Sequence, residues 1–145
     1  MTLSQSESRE LSAFAGTMIP ASARYGVPGA DDPTIFADIA RSLGRDHGDV
    51  LAALERLAAL ASGPFADATA DRRMEIAAAF RAEGGPALAA ITRLILLCYY
   101  RDDRVMRSLG QEPRPPFPKG HTVEQGDWSL LDPVKARKPF YRRVL

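Results

Sequence analysis

Two stretches hold side chains of the kinds that carry chemistry. His121 lies in the loop Lys119-Gly120-His121-Thr122, with Glu124 and Asp127 close behind it. An imidazole beside a carboxylate can move protons near neutral pH. Tyr99-Tyr100-Arg101-Asp102-Asp103 gathers two phenols, a guanidinium and two carboxylates. Such a rim suits a small pocket or a protein interface, where Tyr and Arg are frequent anchors. A small enzyme using His121, Asp127 and the tyrosine pair is one reading, and it requires these groups to converge within hydrogen-bond reach. A plainer reading stands beside it. A single loop histidine is usually just exposed, one tyrosine packs in the core with its hydroxyl bonded, and Asp102 caps a helix. Cys98 sits between Leu97 and Tyr99, with nothing there to lower its pKa, and reads as a small core residue. His47, beside Asp46 at a helix start, reads as a surface residue. No haem-attachment CxxCH, P-loop or GxGxxG occurs. No catalytic residue is specified, and any redox cofactor has to be held by another chain.

Composition narrows the classes further. The chain has 145 residues, 46% of them hydrophobic and 26% charged, with a net charge of +1. That is one domain's worth of chain with enough apolar material for a core. The charge balance argues against a nucleic-acid footprint, which needs a basic excess. One cysteine excludes an internal disulfide, and with two histidines a metal site is short of ligands. No apolar run reaches the ~18 residues of a membrane-spanning helix. The first twelve residues, MTLSQSESRELS, contain no basic segment followed by an apolar one and no twin arginine. The expectation from this is a cytoplasmic protein.

The elements that position these residues are helical. Leu11, Phe14, Ala15 and Met18 fall on one helical face, which predicts a helix over 6–19 ended by Pro20. Residues 20–32 are Pro-, Gly- and Ala-rich and read as a loop. Asp32 as cap and Pro33 in first position open a helix to about residue 43, stopped by Gly44. Asp46 is expected to cap a third helix over 47–61, which Ser62-Gly63-Pro64 breaks. Thr69 is expected to cap a fourth over 70–82, with Met74, Ala77, Ala78 and Phe80-Arg81 near its inner face. A fifth, over 86–101, is apolar nearly all round, which predicts a place at the centre of a bundle. Asp102 caps a short sixth helix to Leu109, with Val105, Met106 and Leu109 inward. No period-2 run or hairpin signal competes. The fold class is therefore all-α: a compact bundle of five to six helices over 1–109, with a long, Pro-rich, irregular tail over 110–145.

The tail has its own character. It holds six of the eleven prolines and four of the eleven aromatic residues. After Asp132 it has no acidic residue, while Lys135, Arg137, Lys138, Arg142 and Arg143 supply +5; the residues before that tip carry −4. Three courses are open to it: solvated disorder, wrapping over its own bundle, or reaching over a partner with its aromatics as anchors. The basic tip suits an acidic protein face, a phosphate or an anionic membrane surface, and equally a plain solvated end.

Two segments together resemble the small-subunit family known as gluconate 2-dehydrogenase subunit 3. One is Phe14-Ala15-Gly16-Thr17-Met18-Ile19-Pro20, followed by Tyr25-Gly26-Val27-Pro28 and a helix. It is similar to that family's opening helix and the Gly-Val-Pro loop after it. The other runs from Tyr99-Tyr100 through Ser108-Leu109-Gly110 to Pro115-Pro116-Phe117-Pro118-Lys119-Gly120. It is similar to the family's late tyrosine-containing helix, Leu-Gly turn and Pro-rich tail. The motifs are short, though spread over nearly the whole chain. The resemblance implies a non-catalytic accessory subunit, holding no cofactor itself. Its partner would be a large FAD-dependent flavoprotein of the glucose–methanol–choline class that oxidises a sugar, polyol or related alcohol, with a cytochrome c as a possible third member. The small chain would support its partner's folding, stability or export. On this reading Tyr99, Tyr100, Pro115, Pro116, Phe117, Pro118, Trp128, Phe140 and Tyr141 are the expected partner-binding residues. Family members often carry a twin-arginine signal, which this sequence lacks: either the complex is cytoplasmic, or it is periplasmic with the signal on an exported partner, or the signal was lost from this chain. A helical scaffold or regulatory module without a flavoprotein is the alternative.

Overall fold

In a computed structural model of the chain, residues 3–115, 117, 119–120 and 122–138 are described. They divide into two compact units, Met1–Pro113 and Arg114–Leu145, so the boundary falls a few residues beyond the expected one. The described residues contain helices and an isolated bridge but no strand. The first unit is the expected all-α bundle.

Its helices are α1 (Gln5–Met18), α2 (Pro33–Arg41), α3 (His47–Ala61), α4 (Ala70–Glu83), α5 (Pro86–Tyr100) and α6 (Asp103–Ser108). Local chemistry starts most of them. Ser4 and Glu7 form a reciprocal capping box on α1: the Ser4 hydroxyl accepts from Glu7 N at 3.2 Å, and Glu7 Oε2 accepts from Ser4 N at 2.6 Å. Asp32 Oδ1 accepts from Thr34 N at 3.0 Å, with Pro33 next in α2, as expected. Thr69 and Asp102 cap α4 and α6, also as expected. The loop between α1 and α2 is pinned by Ala30 N donating to Ile19 O at 2.9 Å and by the Ser22–Val27 bridge. Gly29 is needed there, because a Cβ on it would come within 2.9 Å of the Ala21 backbone nitrogen.

The third cap departs from expectation. Residues Gly44–Asp46 form a 3-10 turn leading into α3, and Asp46 makes no side-chain cap bond. Its backbone is already helical (φ −85°, ψ −1°), whereas an N-cap needs extended geometry to fold its side chain back. The carboxylate instead meets Arg93 of α5 at 2.7 Å.

Within the unit, α3 packs against both α4 and α5. Helix α1 lies on α4 and on the 3-10 turn Phe65–Asp67, and α2 lies on α5. The core is one cluster that includes Leu11, Phe14, Ile39, Leu57, Phe65, Ile76, Phe80, Ile91 and Ile95. Two inner faces differ from those expected. Helix α4 buries Ile76 and Phe80, while Met74 is 59% exposed. In α6 only Val105 is buried, and Leu109 is 58% exposed. Both helices have more apolar positions than their inner faces can take, so periodicity alone does not choose among them.

Ion pairs tie helix to helix at the rim. Arg56 donates to both Glu83 carboxylate oxygens, at 2.8 and 2.5 Å, joining α3 to α4. Arg101, just past α5, donates to Asp38 Oδ2 and Ser42 Oγ, both at 2.5 Å, joining it to α2. Arg104 lies between two helix caps. It donates to Asp32 at 2.7 and 3.2 Å and to Asp102 at 3.0 Å, so one guanidinium holds the starts of α2 and α6 together.

The second unit, expected to be irregular throughout, contains a 3-10 turn, Trp128–Leu131, and one helical turn, α7 (Asp132–Lys135). Their start is local. Asp127 Oδ1 accepts from Ser129 N at 3.0 Å and from Ser129 Oγ at 2.6 Å, and Pro133 sits in the first turn of α7. Trp128, Leu130 and Val134 are exposed.

Candidate interaction groove

Helix α5 has two apolar faces, which explains its unusual sequence. One, with Ile91, Leu94, Ile95, Cys98 and Tyr99, is buried in the core. The other, with Leu88, Thr92, Leu96, Leu97 and Tyr100, is only partly covered by the bundle: Leu88 is half-buried against the core, while Leu97 is 58% and Tyr100 53% exposed. The expectation that α5 is enclosed on all sides is therefore corrected. A 15-residue helix with strongly polar side chains only at Thr92 and Arg93 is half interior and half open.

The open face forms one wall of a groove of ≈ 1630 Å³. Met74, Ala77, Ala78 and Arg81, at i, i+3, i+4 and i+7 of α4, form the opposite wall. Phe14, Met18 and Ile19 at the end of α1 close it off. The groove exists because α4 and α5 both pack on α3 and leave room between them. Its apolar surface carries three arginines, Arg81, Arg93 and Arg101, and none of the side chains lining it is acidic. Such a concavity suits an apolar partner surface with acidic edges.

The candidate residues from sequence are distributed unevenly. Tyr99 is interior, and its hydroxyl donates to the Pro28 carbonyl oxygen at 3.2 Å, so it is a core residue. Burial pushes its phenol up. Tyr100 is the member of the pair that faces the groove. Asp102 caps α6 and binds Arg104, and Asp103 pairs with Arg107 at 3.0 Å. Pro115, Phe117 and Trp128 lie in the second unit, with Phe117 and Trp128 exposed. The Asp127 carboxylate is engaged by Ser129, and these hydrogen bonds hold it below its ordinary range. His121, Pro116, Pro118, Phe140 and Tyr141 lie outside the described residues. His47, expected at the surface, is half-buried, with its Nε2 enclosed and unpaired among the described residues. Sequence reasoning missed Met74, Leu88, Leu96 and Leu97 as groove residues. The excess apolar content of α5 was the available signal.

Cys98 behaves as expected of a core thiol. It is 1% exposed, and burial pushes its pKa up although Arg101 Nη2 lies 3.5 Å from Sγ. A thiol reagent at neutral pH is expected to label the folded protein at least about 100-fold more slowly than the unfolded chain, because reaction needs a thiolate and an opening event. Absorbance at the reagent's release wavelength checks this. Full labelling of folded protein within minutes contradicts the placement.

Among the described residues, no three His, Cys, Asp or Glu side chains are grouped to hold a metal ion. No described helix is long and apolar enough to cross a membrane. Compared with protein-family models, curated proteins and solved structures, the chain matches none of them.

Proposed function

We propose that this chain is an accessory subunit, non-catalytic by itself, that binds and stabilises a large FAD-dependent dehydrogenase of the glucose–methanol–choline class. The partner's substrate would be a sugar, polyol or related alcohol, and a cytochrome c is a further possible member of the complex. The observation that carries the reading is the groove: the first unit folds with a complete core yet leaves a long apolar surface uncovered. Both segments that resemble gluconate 2-dehydrogenase subunit 3 contribute to it, the first through Phe14, Met18 and Ile19, the second through Tyr100. In the second unit, the exposed Phe117 and Trp128 are further anchors for the same role. Burying one such aromatic contributes on the order of 2 kcal/mol, so a few suffice for a stable interface.

The test is co-expression with a flavoprotein of that class from the same genome. Recovery of FAD-loaded, active dehydrogenase is expected to fall at least about tenfold when this chain is omitted, a factor corresponding to roughly 1.4 kcal/mol of lost stabilisation. Equal recovery with and without it rejects the reading.

A further inference from the structure

The groove has a length, a pattern and a charge, and together they specify an occupant. Its α5 wall runs from Gly85 to Arg101, the whole of a 15-residue helix, or about 22 Å at 1.5 Å per residue. The walls are ridges at helical spacing, Met74/Ala77/Ala78/Arg81 on α4 and Leu88/Thr92/Leu96/Tyr100 on α5. Ridges of this kind accept the side chains of another helix. The charge is one-sided. Arg81 makes no ion pair among the described residues, and Arg93 and Arg101 remain about half exposed beyond their contacts with Asp46 and Asp38.

We propose that the groove receives an amphipathic α-helix of a partner polypeptide, about four turns long, with apolar anchors at i, i+3/i+4 and i+7 and acidic residues along its flanks. The apolar anchors fill the space between α4 and α5. The acidic flanks meet Arg81, Arg93 and Arg101, which exclude a basic helix of the same shape. A second copy of this chain is a poorer occupant, because a two-fold interface sets the same arginine-lined patch against itself. The inference rests on the partner-binding reading above but not on the partner being a flavoprotein.

The experiment uses the full chain and two fluorescent peptides of about 15 residues, each with leucines at helical anchor spacing. One carries glutamates on its flanks and the other lysines. The acidic peptide is expected to bind at least about tenfold more tightly at low salt, with the gap closing as salt rises. Leu97→Asp and Arg81→Glu alter exposed side chains, so both variants are expected to fold, as checked by circular dichroism. Each is expected to weaken the acidic peptide about tenfold, and Arg81→Glu also to narrow the preference between peptides. Equal binding of the two peptides, no binding of either, or acidic-peptide binding untouched by both substitutions overturns the proposal. Binding of laurate by the wild type without binding of either peptide overturns it in favour of a lipid. Co-expression separates the two levels. If the chain raises flavoprotein recovery and Leu97→Asp does so equally, the groove proposal fails alone. If the acidic peptide binds as expected but flavoprotein recovery is unaffected, the flavoprotein reading fails alone.

Discussion

Phe14→Ala is expected to destabilise the helical unit by about 3–5 kcal/mol, the range for removing a buried aromatic side chain. Phe14 is 3% exposed and stands where three elements meet. Its ring meets Phe65 edge-on, with centroids 6.0 Å apart and planes at 66°, and Phe80 likewise at 6.1 Å and 71°. It therefore joins α1 to the Phe65–Asp67 turn and to α4. Alanine would leave a void bordered by two rings and lose both edge-to-face contacts, each about 0.5–1.5 kcal/mol beyond area burial. Against a total stability of about 5–15 kcal/mol, that is enough to leave a substantial unfolded fraction. Urea denaturation followed by far-ultraviolet circular dichroism measures it. Phe14→Leu, expected to cost about 1–2 kcal/mol, keeps the comparison usable if the alanine variant does not fold. Met74→Ala, in the open groove wall, is expected to stay within about 0.5 kcal/mol. A Phe14→Ala cost no larger than that of Met74→Ala would show that Phe14 is not the junction described here.

Asp32→Ala is the second large effect, about 2 kcal/mol at pH 7, combining a lost helix cap with a lost partner for Arg104. The Asp32 side chain accepts from Thr34 N and Ile35 N and from both terminal nitrogens of Arg104. Arg104 holds the Asp32 and Asp102 carboxyls below their ordinary range, and Arg101 does the same for Asp38. A carboxyl whose pKa is lower folded than unfolded contributes stability that is fully present above its unfolded value, about 3.9. That contribution is lost as pH falls through the folded value. The bundle is therefore expected to weaken on acidification from about pH 5 downward. Arg104→Met removes the guanidinium shared by Asp32 and Asp102, so its stability is expected to fall less steeply between pH 5 and pH 3 than that of the wild type. Parallel urea titrations at the two pH values check this, and identical acid slopes for the two proteins would contradict it.

Much of the fold was legible in the sequence. The six helices of the first unit lie within about three residues of their expected bounds, because their signals are local. Ser4 is followed three residues later by Glu7, Asp32 by Pro33, and Gly84 and Gly110 stand just past helix ends. Gly44, expected to stop α2, instead opens the 3-10 turn, because α2 already ends at Arg41 with Ser42 as its cap. Asp46 shows the limit of such signals. It is a good cap residue, but the 3-10 turn before it puts its backbone in helical geometry, and its carboxylate finds Arg93 instead. The candidate site was only partly legible. Tyr99 and Tyr100 are adjacent and chemically alike, yet the first is a core residue bonded to Pro28 and the second lines the groove. In a helix, successive side chains diverge by about 100°, and which one faces inward depends on where neighbouring helices lie.

Sequence alone determined the all-α class, the helix ends and the division into a helical body and a Pro-rich remainder. Those follow from capping, proline and glycine geometry and the 3.6-residue period, all of which act within a few residues. Tertiary structure decided which of two apolar faces α4 and α5 bury. Both helices pack on α3, and each buries one face in the common core, Ile76 and Phe80 on α4, Ile91 and Ile95 on α5. The apolar faces left over border a shared groove, although their residues are far apart in the chain. The choice depends on which combination of faces closes a continuous core, and no window of sequence contains that information.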